Sequence, residues 1–222
     1  MLSARLQACA SFVTQGGRIC DVGTDHALLP VWLVEQGIAA EAIAADIGSG
    51  PLQAAERTIA AHGLTGRIRT ILSDGLANIP EREVTDIIIA GMGGETMVHI
   101  LASAPFPLDG KRLILQPMTE AEILRQWLYS HGFVIREECC AREDNRLYAV
   151  MLAEYTGACY KIALWALRIG AMDLTDPDCL AYAEQQLARL TRRSEAMRRA
   201  GTPDGAAEEM AEALRERLEE FR

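Results

Sequence analysis

Arg18-Ile19-Cys20-Asp21-Val22-Gly23-Thr24-Asp25-His26 reads as a short apolar strand ending in a glycine turn, with two acids and a histidine at its carboxyl end. An apolar run without alternation suits a strand covered on both faces. Ala27 to Gln36 follows as a helix, with Pro30 tolerable only in its first turn. The same cadence repeats downstream. Ala42 to Ile47 is a second strand, and Gly48-Ser49-Gly50-Pro51 opens a helix that runs to His62-Gly63, where glycine suits a stop. Arg67 to Leu72 is a third strand, closed by Ser73-Asp74-Gly75. Asp86 to Ala90 is a fourth, ending in Gly91-Met92-Gly93-Gly94, and Lys111 to Gln116 a fifth, followed by helix from Thr119 to Ser130. Strand–helix alternation of this kind predicts an α/β fold around a mostly parallel sheet. Phe133 to Cys140 and Leu147 to Tyr155 are separated by a charged turn and no helix, so an antiparallel strand is expected near the C-terminal end of the sheet.

From about Cys159 the pattern is helical only. Leu180, Ala183, Leu187 and Leu190 share one stripe of a run that reaches Ala200, and Met210, Leu214, Leu218 and Phe221 share a stripe after the turn at 201–205. The expected organisation is a Rossmann-like domain over residues 1–157 and a coiled-coil-like α-helical hairpin over 158–222.

Composition narrows the class. Half of the 222 residues are apolar and 24% are charged, an ordinary globular mix. No stretch approaches the roughly 18 uninterrupted apolar residues of a membrane span, and the N-terminus lacks the order of a secretory signal. A cytoplasmic protein is expected, with no membrane association and no obligate protein partner. The six cysteines form no C-x-x-C pair and no Cys/His cluster, so no metal is expected. The net charge of −9 argues against uniform nucleic-acid affinity but not against a local basic patch. Such a patch exists: between Gln185 and Ala200, five arginines face a single acid, Glu195.

In open parallel sheets, ligands bind at the carboxyl ends of the strands. Asp46, at the end of the second strand, suits the two hydroxyls of a nucleoside ribose, and it follows Asp21 by 25 residues. A dinucleotide fold wants G-x-G-x-x-G so that pyrophosphate can meet backbone amides. Here Asp25 and His26 stand where those glycines would be, and a carboxylate repels a pyrophosphate. A sulfonium with an α-ammonium group would be attracted instead, which favours S-adenosylmethionine over a nicotinamide cofactor. Asp74 ends the third strand, where it either shapes a β-turn or accepts from an adenine amine. Asp25 precedes a helix and has a second reading as its N-cap.

The strings DVGTDHALLP (21–30), AADIGSGPLQAA (44–55), SDGL (73–76), IIIAGMGGETM (87–97) and LILQPM (113–118) closely resemble the TrmK-type tRNA (adenine-N1)-methyltransferases. The resemblance covers residues 1 to about 157 and implies a class I S-adenosylmethionine-dependent methyltransferase acting on adenine 22 of tRNA. It places the cofactor loop on Asp21, Gly23, Thr24, Asp25 and His26, the ribose acid on Asp46 with Ile47 beside it, and the adenine side on Ser73, Asp74 and Gly75. Ala90 and Gly91 are also placed against the cofactor, and Ala90, Gly91, Met92 and Gly93 fall where the methyl acceptor approaches. The aromatic motif that many amino-methyltransferases carry at that point is absent. The catalytic candidates are Gly91, Met92 and Gly93, which make room for the base, and Asp25, as a carboxylate that stabilises the cationic product. For tRNA, Arg189, Arg192, Arg193 and Arg199 lie close enough to one helical face to meet phosphates. The competing reading pairs them with Glu208, Glu209 and Glu212. Arg142, Asn145 and Arg146, in the turn between the last two strands, are further candidates. Two other functions remain open from the residues alone: a nucleoside-cofactor dehydrogenase on the same sheet, and a non-catalytic tRNA-binding module.

Overall fold

The computed structural model describes residues 2–221. Among them, seven strands form one sheet in the order β3-β2-β1-β4-β5-β7-β6. The strands are β1 (Gly17–Val22), β2 (Ala39–Asp46), β3 (Ile68–Leu72), β4 (Asp86–Gly93), β5 (Arg112–Thr119), β6 (Phe133–Glu143) and β7 (Arg146–Tyr155). The first five pair in parallel, and β7 runs antiparallel to both β5 and β6. The chain therefore winds outward from β1 to the β3 edge, then crosses back to place β4 on the other side of β1. That reversal makes the carboxyl ends of β1 and β4 the switch point where α/β sheets bind ligands.

Alternate residues of the central strands feed separate cores. Cys20, Val22, Ile87, Ile89, Leu113 and Leu115 pack on one face. Ile19, Ile88 and Ile114 pack on the other, against α1 (Ala4–Ser11), α2 (Leu28–Glu35) and α3 (Ser49–Ala61). The first face is covered by α4 (Gly94–Ala102) and α5 (Ala121–Ser130). Its core continues without a break into α6 (Leu164–Ile169), α7 (Pro177–Arg199) and α8 (Gly205–Phe221), through Ile169, Tyr182, Ala183, Leu190, Leu214 and Leu218. A buried ion pair marks this junction. Arg125 of α5 and Glu138 of β6 are both fully buried and bound to each other. Arg125 Nη1 also donates to the carbonyls of Leu167 and Arg168, each at 2.9 Å, and the Ala171 amide donates to Glu138 at 3.0 Å.

Several elements differ from the sequence reading. Helix α1 lies outside any segment the pattern had marked. Strands β4 and β5 run on to Gly93 and Thr119, because those residues pair with each other. Helix α7 begins at Pro177, with the Asp176 carboxylate accepting from the amides of Asp178 (2.8 Å) and Cys179 (3.0 Å). Its buried stripe is Cys179, Tyr182, Ala183, Gln186, Leu190 and Ser194, and Leu180 and Leu187 are only half-buried. On α8, Ala207, Ala211, Leu214 and Leu218 are buried while Phe221 is exposed.

Candidate functional site

The loop after β1 is held by one carbonyl: the amides of Gly23 and Thr24 both donate to Ala45, at 2.8 and 2.9 Å. Gly23 sits at φ +75°, and a Cβ there would collide with the methyl group of Met92. His26 and Ala27 follow at φ 54° and 53°. Two successive left-handed non-glycine residues are costly, and such strain gathers where ligands are held. Because Ala27 occupies the cap position with no side-chain bond, Asp25 does not cap α2. Its carboxylate is 87% exposed and lies 3.6 Å from His26 Nε2. Asp21, by contrast, is buried. Burial pushes its carboxyl up to about 6, and the neighbouring charges of Asp25 and Asp46 add to the effect. The buried Thr24 hydroxyl has no well-formed hydrogen bond.

On β2, Asp46 is half-buried, with one oxygen accepting from the Gly48 amide at 2.7 Å. Ile47, beside it, is 69% exposed, an unusual state for a large apolar residue, and so is Leu72 on β3. Ser73 is turned inward, where its hydroxyl accepts from the Asn78 amide (3.0 Å) and donates to the Gly75 carbonyl (2.9 Å). Ser73 thus shapes the turn, Gly75 permits it at φ +52°, and the Asp74 side chain is left exposed.

The carboxyl end of β4, which runs directly into α4, is crowded on its protein side. The Gly91 amide donates to Gln116 Oε1 at 3.1 Å, and Arg5 Nη1 donates to the same oxygen at 2.8 Å. A Cβ on Gly93 would lie 3.1 Å from the Thr119 hydroxyl and 3.6 Å from the Glu120 carboxylate, and one on Gly94 would fall onto the Glu120 carbonyl. Glu120 is itself left-handed, at φ 56°. Met92, near the end of β4, packs against Gly23, so the β1 and β4 ends form one surface. Arg5, Gln116, Thr119 and Glu120 belong to it although sequence reasoning did not select them. Gln116 stood inside the quoted string LILQPM, whereas Arg5 arrives from α1 and carries no local signal. Among the described residues, no group of three or more His, Cys, Asp or Glu could hold a metal ion, and no helix is long and apolar enough to cross a membrane.

The arginines of α7 divide. Arg193 pairs with Asp204 at 2.8 Å, Arg199 with Glu195 at 3.5 Å, and neighbouring Arg198 with Glu208 at 2.7 Å. Arg189 and Arg192 form no ion pair among the described residues. Arg142, in the β6–β7 region, is bound to Asp178 at 2.8 Å.

A sequence profile for a methyltransferase domain matches residues 2–151. The crystal structure of the Bacillus subtilis m1A22 tRNA methyltransferase TrmK superposes with a TM-score of 0.79 at 31% identity, covering 99% of this chain and 96% of that one. This chain belongs to the TrmK family. A TrmK-like protein of Streptococcus pneumoniae, solved in complex with S-adenosyl-L-methionine, superposes with a TM-score of 0.85 at 35% identity, covering 98% of this chain and 100% of that one. The tRNA (adenine(22)-N(1))-methyltransferase of B. subtilis is 41% identical over 154 residues, which are 69% of this chain and 65% of that TrmK protein.

Proposed function

We propose that this chain transfers the methyl group of S-adenosylmethionine to N1 of an adenine in tRNA, at the position 22 named for its B. subtilis relative. One observation carries the reading: four acids, Asp21, Asp25, Asp46 and Asp74, collect at three adjacent strand ends beside the β4–α4 junction, which carries no side chain at Gly91, Gly93 and Gly94. Such a donor set fits a cationic nucleoside. Asp46 has an oxygen free for ribose hydroxyls, exposed Ile47 and Leu72 offer apolar contact to the adenine ring, and Asp74 is placed to accept from its amine. Gly23 and Thr24, with Asp21, Asp25 and His26, face the charged amino-acid end. The cofactor supplies an activated methyl group on a sulfonium that leaves as a neutral thioether.

Adenine N1 carries a free lone pair at neutral pH, so the acceptor needs no prior deprotonation. What the protein must provide is alignment, which contributes several kcal/mol when reacting atoms are held in line. Gly91, Met92 and Gly93 let the base approach. The methylated base is cationic, and the exposed Asp25 carboxylate is placed to stabilise that charge before a proton leaves the amine. N1 lies on the pairing edge, so a paired target must first be extruded. The organisation follows: residues 1–157 hold the cofactor, 158–222 contribute to tRNA binding through Arg189, Arg192, Arg193 and Arg199, and the protein works in the cytoplasm, where its tRNA substrate is found.

Calorimetric titration with S-adenosylmethionine and with NAD, followed by incubation with total tRNA and methyl-labelled cofactor, tests this reading. Binding of S-adenosylmethionine alone and label in tRNA are expected. NAD binding without S-adenosylmethionine binding would point to a dehydrogenase, and cofactor-independent tRNA binding without label to a non-catalytic module.

A further inference from the structure

A cleft of about 700 Å³ lies between the ends of β5 and β7 and the flank of α7, lined by Pro117, Thr119, Arg146, Tyr148, Gln186 and Arg189 among others. It opens from the proposed transfer site. Thr119 is the register partner of Gly93, and its hydroxyl is the atom that a Gly93 side chain would meet. Strands lie about 4.8 Å apart, so crossing from β4 over β5 to β7 covers about 10 Å, within reach of a nucleotide adjoining the target base.

The chemistry of the walls is uneven. Arg168 is paired through both terminal nitrogens, with Glu122 at 2.6 Å and Gln186 at 2.9 Å. Arg146 and Arg189 are exposed and line the cleft; Arg146 is the first residue of β7 and not part of the turn before it, and Arg189 belongs to α7. Neither makes an ion pair or side-chain hydrogen bond among the described residues. Tyr148, in the same lining, is half-buried, and among the described residues its ring stacks on no other ring and its hydroxyl makes no hydrogen bond. The free carboxylate of Glu120 sits at the opposite end, beside Gly93. Phosphates are therefore favoured at the arginine end and disfavoured at the transfer end. An aromatic face flanked by unpaired guanidinium groups is the combination that binds single-stranded nucleic acid. Residues 90–94, at the junction of β4 and α4, contain no aromatic residue.

We propose that this cleft binds the RNA nucleotide adjoining the base to be methylated, with Tyr148 stacking on its base and Arg146 and Arg189 holding flanking phosphates. The proposal rests on tRNA being the substrate.

The test compares Arg146→Gln, Arg189→Gln, their double variant, Tyr148→Ala, Tyr148→Phe and, as a charge control on the far helix α3, Arg57→Gln. Each is assayed for S-adenosylmethionine affinity, KM and kcat with tRNA, and tRNA affinity across a salt series. Tyr148→Ala should raise KM for tRNA about tenfold, and Tyr148→Phe should restore it. Each cleft arginine removed should flatten the log–log salt slope by about 0.7, and Arg57→Gln should leave it unchanged. Cofactor affinity should match wild type throughout, which also certifies folding. Wild-type KM in Tyr148→Ala together with a wild-type salt slope in the double variant would overturn the cleft assignment. A parent reading that fails looks different: wild-type protein binds the cofactor but labels no tRNA, and the cleft assignment falls with it.

Discussion

Asp46 and Asp21 end neighbouring strands in different environments. Asp46 keeps one carboxylate oxygen on the Gly48 amide and the other free of the protein. Its removal should leave the core untouched and cost the cofactor a charge-assisted hydrogen-bonding partner, about 1–3 kcal/mol of binding in Asp46→Ala. An unchanged dissociation constant in the folded variant would remove Asp46 from the ribose role. Asp21 titrates near 6 instead of its ordinary 3.8, because burial disfavours its charge. A carboxyl raised in the folded state contributes stability only while protonated. That contribution is full below about 4 and is lost as the pH rises through 6. Asp21→Asn should therefore be more stable than wild type at pH 7.5, by up to about 3 kcal/mol of unfolding free energy in chemical denaturation, with the difference vanishing near pH 4. Binding of a cationic cofactor favours the ionised form, so wild-type affinity for S-adenosylmethionine should fall as the pH drops below 6. A flat affinity between pH 5 and 8 would place Asp21 outside the cofactor's field.

At the scale of elements, the sheet was legible because its strands are buried on both faces and end in glycine turns. Gly23, Gly75 and Gly91 all adopt positive φ at those ends. The acids of the site could be read for the same reason, since they follow directly on apolar runs. The rest depends on contacts distant in sequence. Arg5 reaches Gln116 across 111 positions, and Glu120 reaches Gly93 only because β5 pairs beyond its apolar core. The expected α7 stripe faces the core, with Ala183 and Leu190 buried and Leu180 and Leu187 packed against it. The buried face is wider, however, because the helix packs on β6 and α6 as well as on α8, which brings Tyr182 and Gln186 inward beside Arg125 and Arg168. The Arg125–Glu138 pair shows how these elements are locked. Removing one partner leaves the other charge buried and unpaired, so Arg125→Met should cost about 3–5 kcal/mol, while Arg125→Met with Glu138→Leu should recover most of it. Chemical denaturation of the two variants measures both numbers. A single variant within 1 kcal/mol of wild type would mean that the junction does not depend on the pair.

Over the whole molecule, the proposed tRNA substrate is a polyanion and the chain carries a net charge of −9, so binding needs a local basic surface, and five arginines cluster on α7. The partial engagement of these arginines weighs little against phosphate binding, because exposed pairs such as Arg193–Asp204 and Arg199–Glu195 are worth under about 1 kcal/mol each. Converting Arg189, Arg192, Arg193 and Arg199 to Gln should reduce tRNA affinity and remove about 0.7–0.9 of log–log salt slope per lost phosphate contact, with cofactor binding intact. Parallel salt slopes would mean that this face only solvates the hairpin. The central claim is methyl transfer to adenine N1. It is tested most directly by digesting the tRNA labelled by the wild-type protein to nucleosides and identifying the one that carries the methyl group. Label in 1-methyladenosine is the expected result, and label in any other nucleoside, or none in RNA, would contradict it.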